Sequence, residues 1–369
     1  MRRALKLALR FAAALLVALL LVELVMRAAG LRLPARGPDN FLPLLEDVSE
    51  AEAPGLEKRL IPNAQGEVLY PGRDAAEDRR VLYRVNALGF RDREYAHEKP
   101  AGVRRVVLLG DSVTYGTGVD LKDSLPKQLE RELREVCAGQ TVEVLNFGVY
   151  AYNTRQEVAL LEHRALAFAP DVVLLVATVT DASGWGVAED AELSWQASWM
   201  RRLGLRSGVW EEQALEKADW RIRSMNRLRR ISVLVDFAAN RAHGALQSGI
   251  LEGSFKRDWM DGTPGRTLIR ESLEQLKRLG ARHGFTAHVV MYPTLTKLGP
   301  GYPYHFPTAK LRGECEQLGI PFTDLLPPLL GQDARALQAH QHDRHPNATC
   351  HRLVAAWLAR ELRALWCGG

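Results

Sequence analysis

An α/β fold built on a parallel sheet with helices on both faces is what this sequence predicts, and three observations predict it. Short apolar runs at Arg105 to Leu109, Thr141 to Leu145 and Val172 to Ala177 alternate with longer stretches of helical period. Runs this uniformly apolar suit strands covered on both sides, which is the hallmark of parallel sheets. The alternation then breaks between about 184 and 264 and resumes to the C-terminus, as expected of one core carrying a large insertion.

The elements follow in order. Phe11 to Met26 (FAAALLVALLLVELVM) is almost wholly apolar, is preceded by Arg2, Arg3, Lys6 and Arg10, and is broken only by Glu23. A bilayer core of about 30 Å needs about 20 residues, a length reached if Ala4 to Leu9 extend the helix while Lys6 and Arg10 snorkel. Cleavage after Ala29 would leave Arg27 at the −3 position, a poor match to a signal-peptidase site. Residues 1–30 are therefore expected to be a membrane anchor or a signal peptide, the uncleaved transmembrane anchor being favoured, with the positive flank holding the N-terminus inside and the remaining chain on the extracytoplasmic, periplasmic side.

Residues 31–80 read as a linker. In the domain expected at 81–369, Val81 to Arg91 (VLYRVNALGFR) alternates like an edge segment and turns at Leu88-Gly89. Strand 105–109, helix 124–136, strand 141–145, helix 154–168 and strand 172–177 come next. After the insertion come helix 267–283, strand 287–291, helix 308–318, a strand near 321–324 and a last helix from Asn347. Inside the insertion, Ala218, Ile222, Met225, Leu228, Ile231, Val235 and Ala238 recur at helical spacing, which predicts one amphipathic helix.

Composition narrows the function. A hydrophobic share of 47% and a charged share of 25% fit a globular protein, and a net charge of +5 over 369 residues gives no reason to expect nucleic acid as a partner. Cys137, Cys315, Cys350 and Cys367 form no C-x-x-C pair, which argues against zinc and thioredoxin-like chemistry. They are buried thiols or form one or two disulfides, and the full pairing has three solutions.

Two short stretches carry chemistry. In RVVLLGDSVTYGTG an apolar strand runs directly into Gly110-Asp111-Ser112 and a glycine-bearing turn. A serine there sits beyond the C-terminal end of its strand, where open α/β sheets bind ligands, and its N–H opens a helix that favours a developing oxyanion. Near the other end stands Asp343-Arg344-His345-Pro346-Asn347. A serine hydroxyl needs an adjacent base, and a histidine steadied by an acid supplies one. Asp343 and His345 are two apart, close enough to pair through a local turn, and Asn347 can cap the helix that follows. At the ends of the second and third strands, Asn146-Phe147-Gly148 and Val179-Thr180-Asp181 occupy the places of further oxyanion donors.

Together, Gly110-Asp111-Ser112, Gly148, Thr180-Asp181 and Asp343 with His345 resemble the SGNH or GDSL-type serine hydrolase family, over about Asn86 to Leu365 with the insertion unmatched. Asn86, Gly89, Phe90 and Arg91 also look like the N-terminal segment of its membrane-anchored bacterial members. The resemblance implies a flavodoxin-like three-layer α/β/α sandwich and acyl hydrolysis or transfer with no metal and no cofactor. It gives Ser112 the nucleophile's role, His345 the base's and Asp343 the orienting acid's, with Ser112, Gly148 and Thr180 at the oxyanion hole. The chain departs from the family at Thr180, where Asn is usual, and at His342, where the acid more often stands three before the histidine; Asp324 is the reserve for Asp343.

Six of the eight tryptophans (Trp185, Trp195, Trp199, Trp210, Trp220 and Trp259) lie in or beside the insertion, among many arginines. The mixture suits a membrane interface or an anionic glycan, or else a subdomain with its own tryptophan core. Because the insertion leaves the strand that carries Asp181, it is expected to overhang the pocket. The function expected is a serine esterase acting on an O-acyl group of an envelope glycan or a lipid. The alternatives are transfer of the acyl group to a sugar hydroxyl, and a catalytically weak binding or assembly protein with the same fold.

Overall fold

A computed structural model describes residues 2–29, 44–70, 79–182, 220–239, 257–340 and 343–367. The chain divides into two compact units, a larger one of Phe41–Glu67, Val81–Ala191 and Glu252–Gly369, and a smaller one of Met1–Asn40, Val68–Arg80 and Glu192–Leu251.

The smaller unit holds helix α1 (Arg2–Ala28). Its apolar side chains from Phe11 to Val25 are largely exposed. The sequence predicts a transmembrane helix here, but among the described residues no helix is long and apolar enough to cross a membrane.

In the larger unit the segment expected as a linker contains strands β1 (Leu45–Asp47) and β2 (Lys58–Leu60), which pair antiparallel. Strands β3 (Gln65–Tyr70) and β4 (Arg79–Arg84) form a second two-stranded sheet. After β4, the Asn86 carboxamide oxygen accepts the N–H groups of Leu88 and Phe90, and Gly89 takes φ of +81° to close this turn.

The central sheet then begins. Strand β5 (Val103–Gly110) leads into helix α2 (Ser112–Tyr115), helix α3 (Leu125–Val136), strand β6 (Thr141–Gly148), helix α4 (Thr154–His163) and strand β7 (Val172–Ala177). Strands β5 and β7 and helix α3 lie within two residues of expectation, and β6 runs three residues further than expected, to Gly148. Helix α4 is shorter: Asn153 and Gln156 form a capping box at its start, but it ends at His163 and Ala165–Phe168 continues as a 3-10 turn closed by Ala169 at φ of +48°.

Within the insertion the structure describes helix α5 (Trp220–Ile231) and a further helical stretch at 233–239. The single amphipathic helix expected there is therefore two. The break has a physical cause inside the smaller unit: Ser232 Oγ and the N–H groups of Val233 and Leu234 all donate to Glu23, at 2.8 to 3.0 Å, while Arg27 donates to the Ile231 carbonyl at 2.8 Å. The acid meets a helix start and the cation a helix end, which is the favourable pairing of charges with helix dipoles. The expected overhang of the pocket falls on residues 183–219 and 240–256, outside the described residues, as do Trp185, Trp195, Trp199 and Trp210.

The core resumes with helix α6 (Pro264–His283), strand β8 (Thr286–Met291), helix α7 (His305–Leu318) and strand β9 (Phe322–Asp324). Thr263 caps the start of α6, and Gly284 and Gly319 in the left-handed conformation end α6 and α7. A hairpin of β10 (Gln338–His340) and β11 (Asp343–Pro346) precedes helix α8 (Ala348–Glu361) and helix α9 (Arg363–Cys367).

The five central strands are all parallel in the order β6-β5-β7-β8-β9. Counted from β5 this is 2-1-3-4-5, the flavodoxin-like order, whose switch point places a crevice beyond the C-terminal end of the first strand. Helix α3 packs on α8, while α4, α6 and α7 pack in a second group. Val106 to Leu109 of β5 and all of β7 are fully buried, each such side chain contributing about 1.5–3 kcal/mol. Cys137 and Cys367 form a disulfide that ties the end of α3 to α9, and Cys315 and Cys350 are buried free thiols.

Candidate active site

Ser112 opens α2 at the C-terminal end of β5. Asp111 accepts the Val113 N–H at 2.8 Å and so caps the turn that presents the serine. The Ser112 N–H itself meets no acceptor among the described residues. Gly110 and Gly148 let the turn come this close to the sheet. A Cβ on Gly110 would lie 2.1 Å from Thr114 Oγ1, and one on Gly148 would lie 2.2 Å from the Tyr115 amide nitrogen.

The far end of α2 is held by Arg91, which is almost wholly buried. Its guanidinium donates to the carbonyls of Tyr115, Gly116 and Val119 at 2.6 to 2.9 Å and lies over the rings of Tyr83 and Tyr115. A cation at the end of a one-turn helix satisfies carbonyls the turn leaves open. Arg91 stands in the sequence segment singled out above, but nothing in the sequence says that it grips the serine's turn.

Strand β11 brings the other half of the site. His345 Nε2 lies 2.8 Å from Ser112 Oγ, and His345 Nδ1 lies 2.5 Å from Asp343 Oδ1. The same carboxylate oxygen accepts the His345 backbone N–H at 3.0 Å, which is the local turn expected of the two-residue spacing. Burial alone would depress the His345 pKa, but the charges of Asp343 and Asp111 and the Asp343 hydrogen bond outweigh it and leave the imidazole above its ordinary value. The Tyr150 ring stands 6.4 Å from the imidazole, centre to centre. The reserve acid, Asp324, instead accepts the Leu326 N–H within its own turn.

The two other expected oxyanion donors are engaged elsewhere. The Gly148 N–H donates to Asn146 Oδ1 at 2.9 Å. The Thr180 hydroxyl has two acceptors in reach, Thr178 Oγ1 at 2.7 Å and Asp111 Oδ2 at 3.5 Å. Position in the motif is as expected in both cases, but the single proton on each group already has an acceptor.

Beneath the serine lies a polar network that local sequence patterns do not reveal. Thr178 Oγ1 is 3.0 Å from Asp111 Oδ2 and 3.0 Å from Asp181 Oδ1, and Thr154 Oγ1 donates to Asp181 Oδ2 at 3.1 Å. Glu157 is buried beside them, and neither of its carboxyl oxygens has a hydrogen-bond partner among the described residues. Burial raises the pKa of Asp111, and raises those of Asp181 and Glu157 well above the usual carboxylate range. Trp259 is fully buried, and its indole N–H donates to the Val179 carbonyl at 2.9 Å, fixing the loop after β7.

Two further histidines, His288 and His351, are buried. Burial pushes His288 down to about 4 and His351 down to about 3. Among the described residues no group of three or more histidines, cysteines and acids is placed to hold a metal ion. A cavity of about 230 Å³, lined by Leu56, Arg59, Phe90, Tyr152 and Arg164 among others, includes none of Ser112, Asp343 and His345.

The model of the GDSL-like Lipase/Acylhydrolase family matches residues 108–353. Among solved structures, the chain is similar to a lipase/acylhydrolase from Enterococcus faecalis, at 15% identity over 71% of this chain and 96% of that one, with a TM-score of 0.40. It is similar to a Clostridium thermocellum family 3 carbohydrate esterase at 14% identity, over 72% and 99% of the two chains, with a TM-score of 0.40. A carbohydrate acetylesterase family member from Sinorhizobium meliloti is similar at 14% identity, over 72% and 100%, with a TM-score of 0.36. No curated protein matches the chain in sequence.

Proposed function

Since the chain belongs to the GDSL-like lipase/acylhydrolase family, whose enzymes act on ester bonds, we propose that it is a serine esterase working through an acyl-enzyme on Ser112. The observation that carries this reading is the continuous line from Ser112 Oγ through His345 to Asp343, at 2.8 and 2.5 Å.

The steps follow from those contacts. Ser112 Oγ bonds to the ester carbonyl carbon while its proton passes to His345 Nε2. Asp343 holds the ring by Nδ1–H and balances the imidazolium. Collapse of the tetrahedral intermediate breaks the bond to the alcohol oxygen, which leaves with the proton from His345. Water then attacks the acyl carbon, gives a proton to His345, and the second collapse returns that proton to Ser112 Oγ and releases the carboxylic acid. Among the described residues the Ser112 N–H is the oxyanion donor that stands open. Gly148 and Thr180 join it by giving up Asn146 and Thr178, at a cost in rate.

The substrate class proposed is an O-acyl group on an envelope glycan or a lipid, and the place is the outer face of a membrane to which α1 tethers the chain. Supporting the place are the exposed apolar side chains of α1, the basic residues before them, and the Cys137–Cys367 disulfide, which suits an oxidising compartment. The exposed Trp220 and Ile231 of α5 suit the same interface.

Fluorophosphonate labelling of the full chain in detergent tests the reading. Label on Ser112 that disappears in His345→Ala supports it, and an unlabelled Ser112 in folded protein sinks it. Product that forms only when a sugar acceptor is added would turn the proposal from hydrolysis to transfer, and labelling without turnover on any ester would favour the binding protein.

A further inference from the structure

The carboxyl groups under Ser112 contain more acceptors than the surrounding protons can serve. The Thr178 hydroxyl owns one proton yet lies 3.0 Å from a carboxyl oxygen of Asp111 and 3.0 Å from one of Asp181, with Thr180 Oγ1 at 2.7 Å. If both acids were ionised, one of them would face the hydroxyl oxygen with no proton between, inside the core. The network closes if Asp181 carries a proton on Oδ1 and donates to Thr178, which donates to Asp111, while the Thr180 hydroxyl fills the second lone pair of Thr178.

Which acid keeps the charge is decided by its neighbours. Asp111 receives the Val113 N–H at the start of α2 and faces His345, both of which favour an anion. Asp181 and Glu157 are fully buried, and no lysine, arginine or histidine hydrogen-bonds to either among the described residues. A lone buried carboxylate of this kind takes up a proton in place of a desolvation cost of several kcal/mol.

We propose that Asp111, Asp181 and Glu157 together hold two protons and one negative charge, that the charge sits on Asp111, and that Asp181 is a positioning residue keeping Asp111 ionised toward His345 by way of Thr178. The consequence for turnover rests on the esterase reading; the proton count does not. The groups facing His345 are Asp343, Asp111, Ser112 and Tyr150, with His351 held neutral behind it. Asp111 is thus a second anion for the imidazolium that forms when Ser112 gives up its proton.

Infrared spectroscopy of the full-length chain at neutral pH reads the protons directly. The expected spectrum has the C=O stretch of buried protonated carboxyls, part of which is lost in Asp181→Asn and another part in Glu157→Gln. If neither substitution removes such a band, the acids are ionised and the proposal is overturned, whatever the enzyme hydrolyses. The positioning role is read from the pH profile of kcat/KM on an aryl ester. Asp181→Asn, whose amide N–H replaces the acid O–H, keeps the profile and stays within about threefold of the unsubstituted chain. Thr178→Val, which breaks the relay, and Asp111→Asn, which removes the charge, both move the acid limb to lower pH. An unchanged limb in these two variants, or a limb that moves in Asp181→Asn, overturns the role.

Discussion

His345 Nε2 meets Ser112 Oγ at 2.8 Å although 233 positions separate the two residues in the chain. The parallel sheet puts the serine at the end of its first strand, and the β10–β11 hairpin, set just before α8, returns the histidine to the same edge. Removing either side chain removes the proton transfer as a unit. Ser112→Ala and His345→Ala are each expected to lower kcat/KM on an aryl ester by about 10⁴-fold or more, and the double variant by little further. Steady-state kinetics of the three variants checks this, and additive losses would count against a shared step.

Asp343 bonds both the ring and the backbone of His345, so its charge and its geometry separate on substitution. His345 must be neutral to take the serine's proton, so activity rises as pH climbs through its pKa. That pKa is raised by Asp343 and Asp111 against the opposing effect of burial. Asp343→Asn is expected to cut kcat by about 10⁴-fold and to move the acid limb downward. A limb that stays in place would mean that Asp343 does not set the base.

Much of this was legible in the sequence because it is written in local pattern. The apolar runs Val106–Leu109 in β5 and Val172–Ala177 in β7 announce a doubly covered sheet, and the two-residue step from Asp343 to His345 announces their pairing. What was not legible depends on partners far apart. Thr178 bonds Asp111 across 67 positions, and Glu23 interrupts the insertion's helix from 209 positions away. Neither meeting leaves a periodic trace. The motif positions of Gly148 and Thr180 were readable, but the acceptors that claim their protons were not.

Gly148 shows how tightly β6 meets the serine's turn. An alanine Cβ there would stand 2.2 Å from the Tyr115 nitrogen and 2.6 Å from the Thr114 carbonyl carbon, both backbone atoms of α2. Backbone yields less readily than a side-chain tip, so α2 and Ser112 must shift. Gly148→Ala is expected to cost about 3 kcal/mol in stability and to lower kcat with the shift. Denaturant midpoints and kinetics on the same samples decide it, and an unaltered midpoint would show that the contact is relieved elsewhere.

The disulfide gives a prediction that does not depend on any substrate. Cys137 and Cys367 lie 230 positions apart, so their bond closes most of the chain into a loop and limits the unfolded ensemble. Chain entropy puts the stabilisation at about 5 kcal/mol as an upper value, with about 2–4 kcal/mol usual. Burial pushes the thiols of Cys315 and Cys350 up to about 12, so neither reacts readily while the protein is folded. Native protein is therefore expected to take up no thiol reagent, unfolded protein without reductant two equivalents, and unfolded reduced protein four. Cys367→Ser is expected to lower the unfolding free energy by about 2–4 kcal/mol, measured by denaturant titration. Four equivalents in the unreduced, unfolded chain would show that the bond does not form.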